Sequence, residues 1–158
     1  LGHPVMNAVE VLSLTLVAAF ISRAVLLGFL SDRMGGLRAL LIFSAVQAST
    51  LAALAVVQEL WLLYTVAVLY GLGYGGIFPV YAIAVRDHLP VMEAGRRTGV
   101  VFLFGAAAMA FGSWMGGYLF DQTGTYTLPF LIGVAFNILN LAIVGWLITR
   151  LKAPTESR

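Results

Sequence analysis

Residues 8–38 read AVEVLSLTLVAAFISRAVLLGFLSDRMGGLR, a long apolar run followed by a short polar stretch with two glycines. A helix needs about 20 apolar residues to cross a hydrocarbon core of about 30 Å. The segment 8–30 meets that length, with Glu10 and Arg23 as its only charges. It is too long for the apolar stretch of a secretory signal and has no basic segment before it. A pairing partner for the first crossing must then follow the turn at Gly35 and Gly36, and the chain supplies it.

Further apolar runs fall at about 39–57, 60–85, 98–120 and 127–149, giving five crossings, with a polar tail over 151–158. Lipid offers no water to open backbone groups, so such runs form helices or closed barrels, and the alternating ten-residue segments of a barrel are absent. The fold expected is an all-α polytopic membrane bundle. Composition agrees: 61% of the 158 residues are hydrophobic and 10% charged, against about a quarter charged in ordinary globular domains. The mean hydropathy is +0.97. No clustered basic face suits nucleic acid. The absence of cysteine excludes disulfides and thiolate metal sites. The partners expected are the bilayer and a small-molecule substrate, with a proton as a candidate coupled ion; no cofactor or metal is expected.

Arg33 and Arg38 follow the first span, Arg86, Arg96 and Arg97 lie in or beside the third loop, and Arg150, Lys152 and Arg158 close the chain. The second and fourth loops carry Glu59 and Asp121 but no basic residue, and Gln58-Glu59 barely separates spans two and three. Five crossings therefore put every Lys and Arg except Arg23 on one side. The positive-inside rule places that side in the cytoplasm of a cell membrane, with the N-terminus outside and the C-terminus cytoplasmic.

The stretch Gly28-Phe29-Leu30-Ser31-Asp32-Arg33-Met34-Gly35-Gly36-Leu37-Arg38 can be read as an ordinary turn, Gly28 admitting a neighbouring helix and Gly35 and Gly36 a tight reversal. It also resembles the signature loop of the major facilitator superfamily, which joins the second and third helices of each six-helix half. Gly28, Leu30, Asp32, Arg33 and Gly35 match; Gly36 and Leu37 stand where the family usually has basic residues, with Arg38 one place late. The resemblance implies a gate latch made by Gly28, Asp32, Arg33, Gly35 and Arg38. Gly116–Tyr126 resembles the end of the eleventh helix of carboxylate carriers, and Asp87-His88-Leu89-Pro90 with Gly95-Arg96-Arg97 the loop before it. The five spans then correspond to helices eight to twelve, a C-terminal-half fragment in the look of the monocarboxylate and oxalate–formate carriers. The seventh helix and the N-terminal half would be missing partners.

Arg23 has two readings. A charge inside a span costs about 2.5–3.5 kcal/mol on insertion scales, so a role is expected of it. It resembles the eighth-helix arginine that pairs with a carboxylate substrate in these carriers, although it precedes Gly28 by five residues where four are expected. That shift turns a side chain by about 100°. Alternatively it snorkels to the interface, about 10 Å away over seven residues. Asn137 and Asn140 share one face of the last span, as substrate contacts or, more in keeping with their type, interhelical hydrogen bonds with partners such as Gln47.

Gly71, Gly73, Gly75 and Gly76 formally satisfy a dinucleotide-binding pattern, but no strand precedes them; they read as close packing, as do Gly112 and Gly116. Pro79 is expected to kink the third span. The function expected is secondary active transport of an organic anion such as a monocarboxylate by alternating access. The alternatives are a membrane scaffold or receptor without transport, and an intramembrane enzyme. The enzyme would need a base beside Ser113, and His3 and His88 fall in loops.

Overall fold

Lipid removes the hydrophobic drive between helices, so spans associate where small residues let backbones approach, and one span here is rich in them. The computed structural model describes residues 5–57 and 59–151; His3, Gln58 and the tail from 152 onward lie outside the described residues. Helix α1 (Val5–Ile21) runs through a π-helical turn (Ser22–Leu26) into α2 (Leu27–Met34) as one continuous span. The others are α3 (Gly36–Leu54), α4 (Leu60–His88), α5 (Val91–Thr123) and α6 (Thr127–Arg150). Five helices are long and apolar enough to cross a membrane, and the described residues contain no strand.

Helix α4 is the hub, packing on α1, α3 and α5, with α6 against α3. Its glycines divide the work by helical face. A Cβ at Gly71 or Gly75 would collide with the backbone of α1 at Thr15 or Ala19. One at Gly73 or Gly76 would strike Gln47 and Val46 or the Phe43 ring of α3. These four positions make the close packing expected of them. Beside this seam lies the core: Ala39, Leu40 and Phe43 of α3, Val80 of α4 and Val144 of α6.

The close approach expected at Gly28, Gly112 and Gly116 is not made, since a Cβ there meets nothing within 4 Å. Gly28 faces outward on α2, and α5 touches its neighbours too sparingly to bury any of its most apolar stretch. Gly105 is the glycine that α5 does use, its built Cβ lying 3.2 Å from the Phe78 ring of α4.

Helix ends differ from the apolar pattern because backbone hydrogen bonding continues past the hydrocarbon. Helix α3 stops at Leu54, so 55–57 form a turn rather than the end of the span. Helix α5 starts seven residues before its apolar run. Pro90 precedes it with its carbonyl accepting from Glu93 and Ala94 N–H. Glu93 lies in the first turn, where the helix dipole favours an acid. Arg96 and Arg97 are therefore helical, not in a loop, and His88 ends α4 with Nδ1 3.0 Å from the Ala84 carbonyl. Pro79 lies inside α4, which continues unbroken around it.

Candidate functional site

The first span carries the most unusual backbone of the protein. The N–H of Leu27 bonds the carbonyl of Ser22, five residues back. The ladder therefore holds one residue more than an α-helix would over the same turn, as π-bulges do, often at functional sites. Arg23 sits inside this turn and Gly28 two residues past its end, so the widened turn falls within the five-residue step between them. Ser22 is completely buried and its hydroxyl donates to the Leu72 carbonyl at 2.6 Å, fastening the bulge to α4.

Arg23 lies three residues from the middle of the continuous helix Met6–Met34, about 5 Å along its axis. Its Nε donates to the Gly75 carbonyl over 3.4 Å, beyond the usual range for a strong N–H···O bond. No carboxylate among the described residues pairs with it, and the residue is exposed on the bundle surface. That carbonyl belongs to one of the two glycines at which α4 meets the α1 backbone. Most of the planar fork of donors that an arginine carries is therefore unused among the described residues.

At the other end of the span the signature stretch becomes α2, a one-residue turn and α3. Gly35 has φ +79° and ψ 161°, a region essentially reserved for glycine, so it supplies the reversal. Gly36 serves differently: a Cβ there would lie 2.6 Å from the Ala84 nitrogen of α4, which explains why no basic residue stands at this place. The Gly36 N–H donates to Asp87 Oδ2 at 3.0 Å. Gly35, at the N-cap, has no side chain to cap α3, so Asp87 from the end of α4 does so across the fold, its charge on the positive end of the dipole. Arg38 and Asp87 line a cavity of about 150 Å³ at this end. Asp32 and Arg33 are exposed; the Arg33 guanidinium stacks over the Phe29 ring at 4.1 Å instead of pairing with Asp32.

The Major Facilitator Superfamily family model matches residues 5–158. The chain belongs to the Major Facilitator Superfamily. This facilitator chain is 28% identical over 133 residues to the uncharacterized MFS-type transporter YfiU of Bacillus subtilis, covering 84% of this chain and 26% of the relative. It is 30% identical over 146 residues to monocarboxylate transporter 13 of Rattus norvegicus, covering 91% and 34%. It is 32% identical over 77 residues to the vacuolar membrane amino acid uptake transporter fnx2 of Schizosaccharomyces pombe, covering 49% and 13%. The chain thus spans about a third or less of these relatives' own lengths. No solved structure matches it significantly.

Five polar span residues of the facilitator chain, Ser44, Gln47, Tyr81, Asn137 and Asn140, form a clasp. Asn140 Nδ2 donates to Ser44 Oγ at 2.9 Å, and its Oδ1 accepts from the Tyr81 hydroxyl at 3.0 Å. Asn137 Nδ2 donates to Gln47 Oε1 at 3.0 Å, leaving its own Oδ1 buried without a partner among the described residues. Helices α3, α4 and α6 are joined by this set. Neither α1 nor the π-turn that carries Arg23 packs on α6, so Arg23 and the two asparagines are not brought together.

Reading the sequence missed Asp87 and Ser22. The absent capping side chain at Gly35, with a carboxylate one helical hairpin later, was the available signal for Asp87. For Ser22 the signal was the five-residue step from Arg23 to Gly28.

Proposed function

We propose that this chain forms helices eight to twelve, part of the C-terminal half, of a secondary active transporter for a small organic anion of the monocarboxylate class. It works by alternating access against an N-terminal half, with a proton as the coupled ion. The observation that carries this is Arg23: a cation near mid-span, seated by a π-turn, bonded weakly to one backbone carbonyl and otherwise free. A permanent charge costs about 2.5–3.5 kcal/mol there, and one long bond offsets little of it. A carboxylate entering by charge-assisted, two-pronged hydrogen bonds would offset the rest. Membership of a family containing a relative named a monocarboxylate transporter supports the same substrate class.

In this reading Asp32, Arg33 and Arg38 face the partner half as the cytoplasmic latch, with Gly35 setting the turn. The single-sided basic residues support an N-terminus outside the cell membrane and a cytoplasmic C-terminus. Asn137 offers a free acceptor beyond its clasp role, whereas both ends of the Asn140 amide are occupied.

The test is uptake of labelled monocarboxylate by the full-length protein in vesicles. Arg23→Ala is expected to lower uptake at least tenfold, and Arg23→Lys, which keeps charge but loses the fork, to retain part of it. Uptake unchanged by Arg23→Ala would remove the substrate role.

A further inference from the structure

Where α4 hands over to α5, the two helices do not close on each other. Between their ends lies a pocket of about 600 Å³ walled by Val85 and Leu89 on one side and Val100 and Val101 on the other, with Arg96 and Arg97 at its mouth. Val100 and Val101 also line a second hollow of about 390 Å³, further up the helices, with Phe78, Phe102 and Phe104. The two share a wall and form one groove. It is backed by the edge-on pair Phe78–Phe102, centroids 5.9 Å apart, and closes where Phe78 meets Gly105. From Arg96 to Phe104 the groove runs about 12 Å along α5 at 1.5 Å per residue.

The mouth is charged and the rest is apolar, which is the division within one amphiphile. Arg97 is ion-paired with Glu93 at 2.6 Å, so Glu93 cancels much of its field. Arg96 is exposed and has no such partner among the described residues. The groove therefore presents about one net positive charge to whatever sits at its mouth. A soluble anion would leave the apolar channel unfilled, and an uncharged chain would leave Arg96 unpaired.

We propose that this groove is a binding site for an anionic phospholipid, its phosphate on Arg96 and Arg97 and one acyl chain laid along Val100, Val101 and Phe104. Basic pockets between transmembrane helices hold anionic headgroups in this way. The site is separate from Arg23, and its occupancy does not depend on which solute is carried.

The experiment uses the full-length chain in vesicles with Phe104→Trp as the fluorescent reporter and the other tryptophans replaced by phenylalanine. Quenching by mid-chain-brominated phosphatidylglycerol is compared with quenching by brominated phosphatidylcholine. The expected result is a preference of roughly fivefold for the anionic lipid, falling to parity in Arg96→Gln/Arg97→Gln and kept in Arg96→Lys/Arg97→Lys. Native mass spectrometry of the protein without the reporter is expected to show phosphatidylglycerol retained by the parent and lost from the glutamine pair. Parity in the parent, a preference indifferent to the glutamine pair, or displacement of the lipid by soluble glycerol phosphate would overturn the proposal. Quenching by neither lipid would mean that protein fills the groove, and would overturn it as well.

Discussion

Helices α1 and α5 both lean on α4, but by opposite means. Helix α1 meets it at close range, through Thr15, Ala18 and Ala19 against Gly71 and Gly75, and the Ser22 hydroxyl of the π-turn bonds the Leu72 carbonyl just beyond. Helix α5 meets it through side chains, the Phe78 ring on Gly105 and on Phe102, and leaves Gly112 and Gly116 open. In a solvent that gives no reward for burying apolar groups, the first arrangement fixes a geometry and the second leaves room. The fixed seam is where the mid-span arginine is seated, and the loose one is where the groove opens. A glycine pattern alone does not distinguish them, because Gly71-x-x-x-Gly75 and Gly112-x-x-x-Gly116 are the same motif.

The largest expected difference breaks that comparison directly. Gly75→Leu forces a side chain into the α1 backbone and is expected to destabilise the protein by about 3 kcal/mol or more. Gly112→Leu projects into open space and is expected to change stability by no more than about 0.5 kcal/mol. Thermal unfolding in detergent, read by size-exclusion fluorescence, checks both; equal damage would mean that α5 has a covered glycine face.

Next in size is the cap that ties the ends of α3 and α4. Asp87→Ala leaves the Gly36 N–H without a partner and removes the charge from the helix dipole, costing about 1–2 kcal/mol, while Asp32→Ala, on an exposed residue, costs under about 0.5 kcal/mol. The same unfolding assay ranks them, and the reverse order would return the structural role to Asp32. The clasp follows. Asn140→Ala is expected to cost about 1 kcal/mol, near the range measured for hydrogen bonds inside membranes, visible as a lower unfolding midpoint. Smallest is the exposed Glu93–Arg97 pair, where Glu93→Ala is expected to shift stability by under about 0.5 kcal/mol.

The spans were legible because apolar length sets the crossings, and the density of glycine in α4 marked it as a close-packing helix without saying which neighbours it meets. The start of α5 at Val91 was not, since Glu93, Arg96 and Arg97 form a helical turn outside the hydrocarbon, where hydropathy is silent. The step of five from Arg23 to Gly28 registered only as an irregularity, because a π-turn is held by tertiary contacts such as Ser22 to Leu72 that no local pattern records. Gly36 looked like a departure from the family loop and is instead dictated by Ala84, nearly fifty residues on. Open glycines and packed ones cannot be told apart without knowing what faces them.

The central claim is that the seam between α1 and α4 presents Arg23 to an anion. Equilibrium binding of a labelled monocarboxylate to the purified full-length protein, parent against Arg23→Gln, tests it without the complications of flux. The account predicts an affinity at least tenfold weaker in the variant, with the unfolding midpoint in the absence of ligand unchanged or raised because a charge without an ion-pair partner among the described residues is gone from the span. Equal affinity in parent and variant, both folded, would contradict it.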